Sequence, residues 1–112
     1  MVRAYADGSA MKYVKPKTYA DAIAVGYPTF GFEGINAIKA TKGMAMAVSD
    51  TRTEKARELL ADKIGIKSEP AGAAGVAGFV ELYKKDPKPF RGRTVAAIIT
   101  GNNEHRAVLL EH

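Results

Sequence analysis

The chain has 112 residues, 46% of them hydrophobic and 26% charged, with a net charge of +5 and no cysteine. That is one small domain with a modest core; disulfides, cysteine zinc sites and thiol catalysis are excluded, and no apolar run approaches the roughly 20 residues of a membrane span. The basic residues are dispersed, and their densest groups, Lys12/Lys15/Lys17 and Lys84/Lys85/Lys88, read as solvated surface more simply than as a nucleic-acid groove.

Residues 1–18 are polar, with Gly8, Ser9 and Pro16, and read as an irregular N-terminal arm. They lack the apolar h-region of a signal peptide, so cytoplasm is the expected compartment. Residues 19–25, YADAIAV, read as a short strand ending at Gly26, and a Gly26-Tyr27-Pro28-Thr29 turn follows. Residues 32–42 carry Ile35 and Ile38 three apart beside Ala37 and Ala40, a helical stripe with Gly43 as its C′ residue.

Residues 44–48, MAMAV, form a continuous apolar run of the kind that suits a strand buried on both faces of a parallel sheet. Ser49-Asp50-Thr51 opens a helix, with Thr51 and Glu54 at capping-box spacing. Its inner stripe is Ala56, Leu59, Leu60 and Ile64, and Gly65 closes it. Residues 66–68 read as another strand, running into Glu69-Pro70.

A helix with a small-residue first half then begins, with glycines at 72, 75 and 78. Glycine inside a helix costs about 1 kcal/mol relative to alanine. Close approach by a sheet, a helix or a ligand would offset that cost. A leucine at Gly75 is therefore expected to be far more damaging than an alanine at Gly72. The bulkier second half, Phe79, Val80, Leu82 and Tyr83, reads as ordinary core. The plain alternative is a tightly packed Ala/Gly helix behind a surface carboxylate. Residues 86–93, DPKPFRGR, are a loop, and residues 94–100, TVAAIIT, a strand stopping at Gly101-Asn102-Asn103. Leu110-Glu111-His112 resembles the start of a histidine tag and is set aside.

Strands alternating with helices predict an α/β class: a partial three-layer αβα subdomain over residues 19–109 with a mainly parallel sheet. On such a sheet the Gly26-Tyr27-Pro28 turn, Glu69-Pro70 and Thr100-Gly101-Asn102 all follow strands. They would share the carboxyl edge where these folds bind ligands. Each alone reads more simply as a connecting turn; together they are more suggestive.

These residues resemble a known family. Lys15-Pro16, the run Thr18-Tyr19-Ala20-Asp21-Ala22-Ile23, Gly26-x-Pro28, Ala47-Val48-Ser49-Asp50, Gly65-Ile66, Glu69-Pro70-Ala71-x-Ala73-Ala74 and Thr100-Gly101 occur in the order and spacing of the C-terminal part of threonine synthase. More broadly they resemble the fold-type II pyridoxal-phosphate enzymes of the tryptophan synthase β-chain superfamily. The resemblance covers about four-fifths of the chain. It implies that the Thr100 hydroxyl meets the pyridine nitrogen of pyridoxal 5′-phosphate and that Ala22 lies against the ring. Glu69 and Gly101 lie near the cofactor in the same reading. It also implies an amino-acid substrate and the rest of the enzyme chain as partner, with a homodimer as one possible assembly; no nucleic-acid or membrane partner is expected from the dispersed charge and short apolar runs.

The family's Schiff-base lysine, in a Ser-x-Lys-x-Arg motif, and its glycine-rich phosphate loop have no counterpart in this sequence. The expectation is a segment contributing cofactor contacts without catalysing alone, and no residue is assigned a catalytic role. In the parent, O-phosphohomoserine and water would give threonine and phosphate. Related β-replacement or dehydratase enzymes, such as cysteate synthase or threonine dehydratase, stay open because Gly26-Tyr27-Pro28 and Gly101-Asn102-Asn103 depart from the usual pattern. A free-standing, non-catalytic α/β binding module stays open as well. His105 reads as surface polar.

Overall fold

The computed structural model describes residues 1–101. Four α-helices carry the architecture: α1 (Val2–Asp7), α2 (Gly31–Ala40), α3 (Asp50–Ile64) and α4 (Pro70–Lys85). Short 3₁₀ turns occupy Asp21–Ile23 and Lys88–Phe90. The expected helices are present; among the described residues the expected strands do not form, and within 66–68 only an isolated bridge at Ser68 is made. Residues 44–48 and 94–100 lack backbone partners there, and a strand exists only through a neighbour that takes its N–H and C=O groups.

Residues 19–25 also depart from the strand reading. The Asp50 carboxylate accepts from the Thr18 hydroxyl at 2.5 Å and from the Tyr19 N–H at 3.1 Å, and Thr18 Oγ1 accepts from the Ala20 N–H at 3.1 Å. These side-chain acceptors turn the backbone, and it closes as the Asp21–Ile23 turn. The arm contains a helix as well. α1 buries Ala4 and ends at Gly8, whose φ of 70° is the left-handed stop glycine supplies cheaply.

α2 begins one residue before the expected stripe and ends in a Schellman arrangement. The Gly43 N–H donates to Ile38 C=O at 2.8 Å and the Lys42 N–H to Lys39 C=O at 3.0 Å. The left-handed residue is Lys42, with φ 53°, rather than Gly43. α3 is capped by Ser49, whose hydroxyl accepts from the Arg52 N–H at 3.4 Å. The Thr51–Glu54 capping box does not form, because Ser49 is the N-cap and Thr51 already lies inside the helix; the Glu54 carboxylate is engaged by Arg57 and Tyr19 instead. Gly65, at φ 69°, closes α3 as its position suggests.

The core lies between α3 and α4. Ala56, Leu60, Ala73, Val76 and Ala77 are buried together, with Val48, Val80 and Ile99 packed against them. Leu59 and Ile64, expected inside, face outward. Small side chains let the two helices approach closely, and an Arg52–Glu81 ion pair at 3.1 Å joins them at the surface. The buried part of α4 is its small-residue half, not the bulky half. Phe79, Tyr83 and Phe90 form an aromatic cluster with centroids 5.3–6.1 Å apart, and Tyr83 stays half exposed. Val48 and Ile99 bring the two apolar segments onto α4, so the helix organises the rest as its glycine content suggests.

Candidate functional site at the start of helix 4

The corner where residues 66–69 enter α4 is built from close contacts. Pro70 occupies the first helical turn, where its missing N–H costs nothing. Ser68, 1% exposed, donates its hydroxyl to Glu69 C=O at 2.8 Å. The Glu69 N–H donates to Gly101 C=O at 3.1 Å, docking the end of the last apolar segment onto the helix start. Two glycines permit this. A Cβ on Gly72 would lie 2.8 Å from both Gly101 O and Ser68 Oγ, and a Cβ on Gly101 would fall on the Glu69 carboxylate. Gly75, where the sequence suggests the tightest approach, is exposed, and its Cβ would meet Ile98 O at an ordinary 3.8 Å. The close approach is at Gly72.

Of the residues expected at the site, Glu69 and Gly101 are therefore in direct contact, and Thr100 precedes Gly101 with an exposed side chain. Ala22 is exposed on the Asp21–Ile23 turn, which packs against α4. No hydrogen bond among the described residues joins Ala22 to Glu69 or Gly101. The Gly26-Tyr27-Pro28 turn is held by the arm: the Val14 N–H donates to Gly26 C=O at 3.0 Å, and the Tyr13 ring covers the Gly26 Cα. Asn102, Asn103 and His105 lie outside the described residues.

A polar network behind this corner was not legible from the sequence. Arg57 Nε donates to Ser68 C=O at 2.8 Å, and Arg57 Nη1 reaches both Glu54 oxygens at 3.1 and 2.8 Å. Tyr19 donates its phenolic hydroxyl to Glu54 Oε2 at 2.6 Å. The Tyr19 bond, and then Arg57, hold the Glu54 carboxyl below its usual range. Glu54 in turn raises Arg57. Partial desolvation, followed by the bond to Glu54, pushes the Tyr19 phenol up. The helical i,i+3 spacing of Glu54 and Arg57 is a sequence signal for that pair. Nothing in the sequence announces Tyr19, 35 residues away.

The pyridoxal-phosphate dependent enzyme family model matches residues 1–101. The chain belongs to that family. It is 37% identical to a threonine synthase of Methanocaldococcus jannaschii over 80% of its own length and 22% of the relative's. Identity is 37% to a Mycobacterium bovis threonine synthase and 38% to one from Synechocystis, over 78% of this chain and 24% and 22% of those proteins. The chain thus spans about a quarter of the curated relatives it matches.

For a pyridoxal-phosphate family member, the corner can be tested against the cofactor's chemistry. Thr100 offers an exposed hydroxyl, able to donate to or accept from a ring nitrogen, next to a Gly101 that Glu69 holds in place. A pyridine edge suits that donor set. Among the described residues no group of His, Cys, Asp and Glu is arranged to hold a metal ion, and no helix is long and apolar enough to cross a membrane.

Proposed function

We propose that this chain is the ring-contacting segment of a threonine synthase-like enzyme. The enzyme would convert O-phosphohomoserine and water into threonine and phosphate, with the Schiff-base lysine and the phosphate loop supplied by the rest of it. The observation that carries the reading is the docking of Gly101 on Glu69 at the start of α4, which presents the Thr100 hydroxyl beside a backbone that cannot shift freely. When bound, pyridoxal phosphate supplies the electron sink for chemistry at the substrate amino acid. Thr100 would hold the pyridine nitrogen with a neutral hydroxyl, Ala22 would leave room for the ring, and Glu69 and Gly101 would fix the corner.

The parallel sheet belongs to the same proposal. Residues 44–48 and 94–100 rest on α4 with their backbone groups unpaired among the described residues, and Met44, Met46, Val95 and Ile98 are exposed apolar side chains. Strands from the rest of the enzyme would pair with these segments and cover them.

Two measurements test the assignment. With this chain alone, borohydride treatment after incubation with pyridoxal phosphate should give no stoichiometric adduct at a single lysine; one such adduct overturns the division of labour. In the full-length enzyme, Thr100→Ala should lower turnover at saturating cofactor more than it weakens cofactor binding. A lost hydrogen bond of this kind is worth about 0.5–1.5 kcal/mol. Unchanged turnover removes Thr100 from the site.

A further inference from the structure

The network behind the corner joins two parts of the chain that the ring-contact reading needs together. Ala22 follows a segment anchored at Thr18, Tyr19 and Ala20; Ala20 is 2% exposed, and Asp50 accepts from Thr18 and Tyr19. Glu69 follows Ser68, fully buried, with both its hydroxyl and its carbonyl hydrogen-bonded. Two side chains in series, Arg57 and Glu54, span the two parts. Arg57 holds the Ser68 carbonyl through Nε and Glu54 through Nη1, and Glu54 holds the Tyr19 hydroxyl.

We infer that Arg57 is a positioning residue, fixing the Ser68–Glu69 corner of α4 relative to the Tyr19–Ala22 segment through Glu54. The inference rests on the ring-contact reading for its functional meaning, but not for its geometry.

The chemistry of the side chain supports this role. A guanidinium presents N–H groups in a rigid planar fork, so one arginine can address a carbonyl and a carboxylate in fixed relative directions; an ammonium is a point charge with no such fork. Arg57 is placed for it. Its side chain is 25% exposed, it arises from the middle of α3, and it crosses to residue 68 rather than extending into water. Without Arg57 the buried Ser68 carbonyl loses its side-chain donor, and a buried acceptor left unpaired drives local rearrangement. That rearrangement would reach the Glu69 N–H, the group on which Gly101 docks.

The test is amide hydrogen exchange by NMR on the full chain and on Arg57→Met, Arg57→Lys and Tyr19→Phe. In Arg57→Met the Glu69 amide should exchange about tenfold faster, the scale expected of one lost charged hydrogen bond, while Leu60 and Val76 amides in the helical core change far less. Arg57→Lys should not restore Glu69 protection, because the charge survives but the fork does not. Tyr19→Phe, which removes a single hydroxyl and keeps the ring, should raise Glu69 exchange to a smaller degree. The inference is overturned if Glu69 exchange is unchanged in Arg57→Met, if lysine restores it, or if all three amides accelerate equally, which is general loss of stability. Should Arg57→Met fail to fold, Tyr19→Phe decides: a Glu69 amide as protected as in the parent breaks the coupling. Thr100→Ala in the full-length enzyme separates the two ideas. If turnover at saturating cofactor is unchanged while the exchange pattern of the Arg57 and Tyr19 variants holds, the ring-contact reading falls and the positioning role of Arg57 stands.

Discussion

The two halves of α4 invert the usual relation between residue size and burial. Gly72, Ala73, Val76, Ala77 and Gly78 are buried, whereas Phe79 and Leu82 are only partly covered and Tyr83 is half exposed. Large apolar side chains ordinarily gain more from burial than small ones, so size alone predicts the reverse. The difference is one of neighbours. The first half faces α3, the backbone at residues 98–101 and the Met46 and Val48 side chains, and only small residues allow that approach. The second half faces the Lys88–Phe90 turn and solvent, where aromatic rings cover one another.

The largest effect that would break this comparison is at Gly72. A methyl there would meet Gly101 O, a backbone atom, at 2.8 Å, so the docked segment must move to admit it. We expect Gly72→Ala to destabilise the chain by about 1–3 kcal/mol from overpacking, less the roughly 1 kcal/mol that alanine contributes as the better helix former. Thermal melts check it, and a variant melting at or above the parent temperature would mean that the corner is loosely packed.

Gly75 sharpens the same comparison in the opposite direction. Gly72, Gly75 and Gly78 are spaced by three in a helix of about 3.6 residues per turn, so each successive glycine is rotated around the axis by about 60°. Gly72 faces Gly101, Gly78 would place a Cβ 3.5 Å from Met46 Sδ, and Gly75 lies exposed between them. Gly75→Ala should therefore raise stability by a few tenths to about 1 kcal/mol, read from the denaturant midpoint at unchanged slope. A loss of stability would show that Ile98 lies closer than 3.8 Å to that position in solution.

These two glycines also show where sequence reasoning stops. The pattern of small residues announces that something approaches α4, and the Glu69-Pro70 junction marks where the helix starts; both are local signals. Which glycine takes the contact depends on the rotation of α4 relative to residues 94–101, and no local pattern encodes that. The same limit governs residues 19–25, read as a strand from their composition. Their backbone is turned by Asp50, an acceptor about 30 residues downstream. Residues 44–48 and 94–100 are legible as apolar, non-helical and packed on a helix, and Val48 and Ile99 do join the core. Strand formation adds a requirement on other segments, which residues 44–48 and 94–100 do not themselves contain. At the candidate site Glu69 and Gly101 meet, and each follows a segment whose local pattern reads as a strand; the expectation for Thr100 comes from the family resemblance. Arg57 and Tyr19 were not legible, because side-chain hydrogen bonds across 11 to 35 residues leave no periodicity.

The smallest expected effect concerns pH, and it asks whether the polar corner is as fixed as the apolar half of α4. The Glu54 carboxyl is held below the ordinary 4.5 by the Tyr19 hydroxyl and then by Arg57. A carboxyl whose folded pKa is depressed stabilises the fold above its unfolded pKa, and that contribution fades as pH falls through the folded value. The Tyr19 phenol is raised above the ordinary 10.0, so its contribution is present below that pH and fades as pH rises through the folded value. The network should thus be intact across neutral pH and weaken at both extremes. Glu54 is exposed enough for water to screen the acid limb, so the effect is a small one. Melts of the parent and of Glu54→Gln from pH 7 to pH 3 isolate it, because glutamine keeps the shape and removes the titration. The parent should melt higher than Glu54→Gln near neutrality, and the gap should close below about pH 4.5 as the carboxylate takes a proton. A gap that stays constant across that range would mean that the Tyr19 and Arg57 bonds do not favour the ionised form. The Tyr19–Glu54 link would then not depend on the charge of Glu54, and the Arg57–Ser68 bond would hold the corner apart from it.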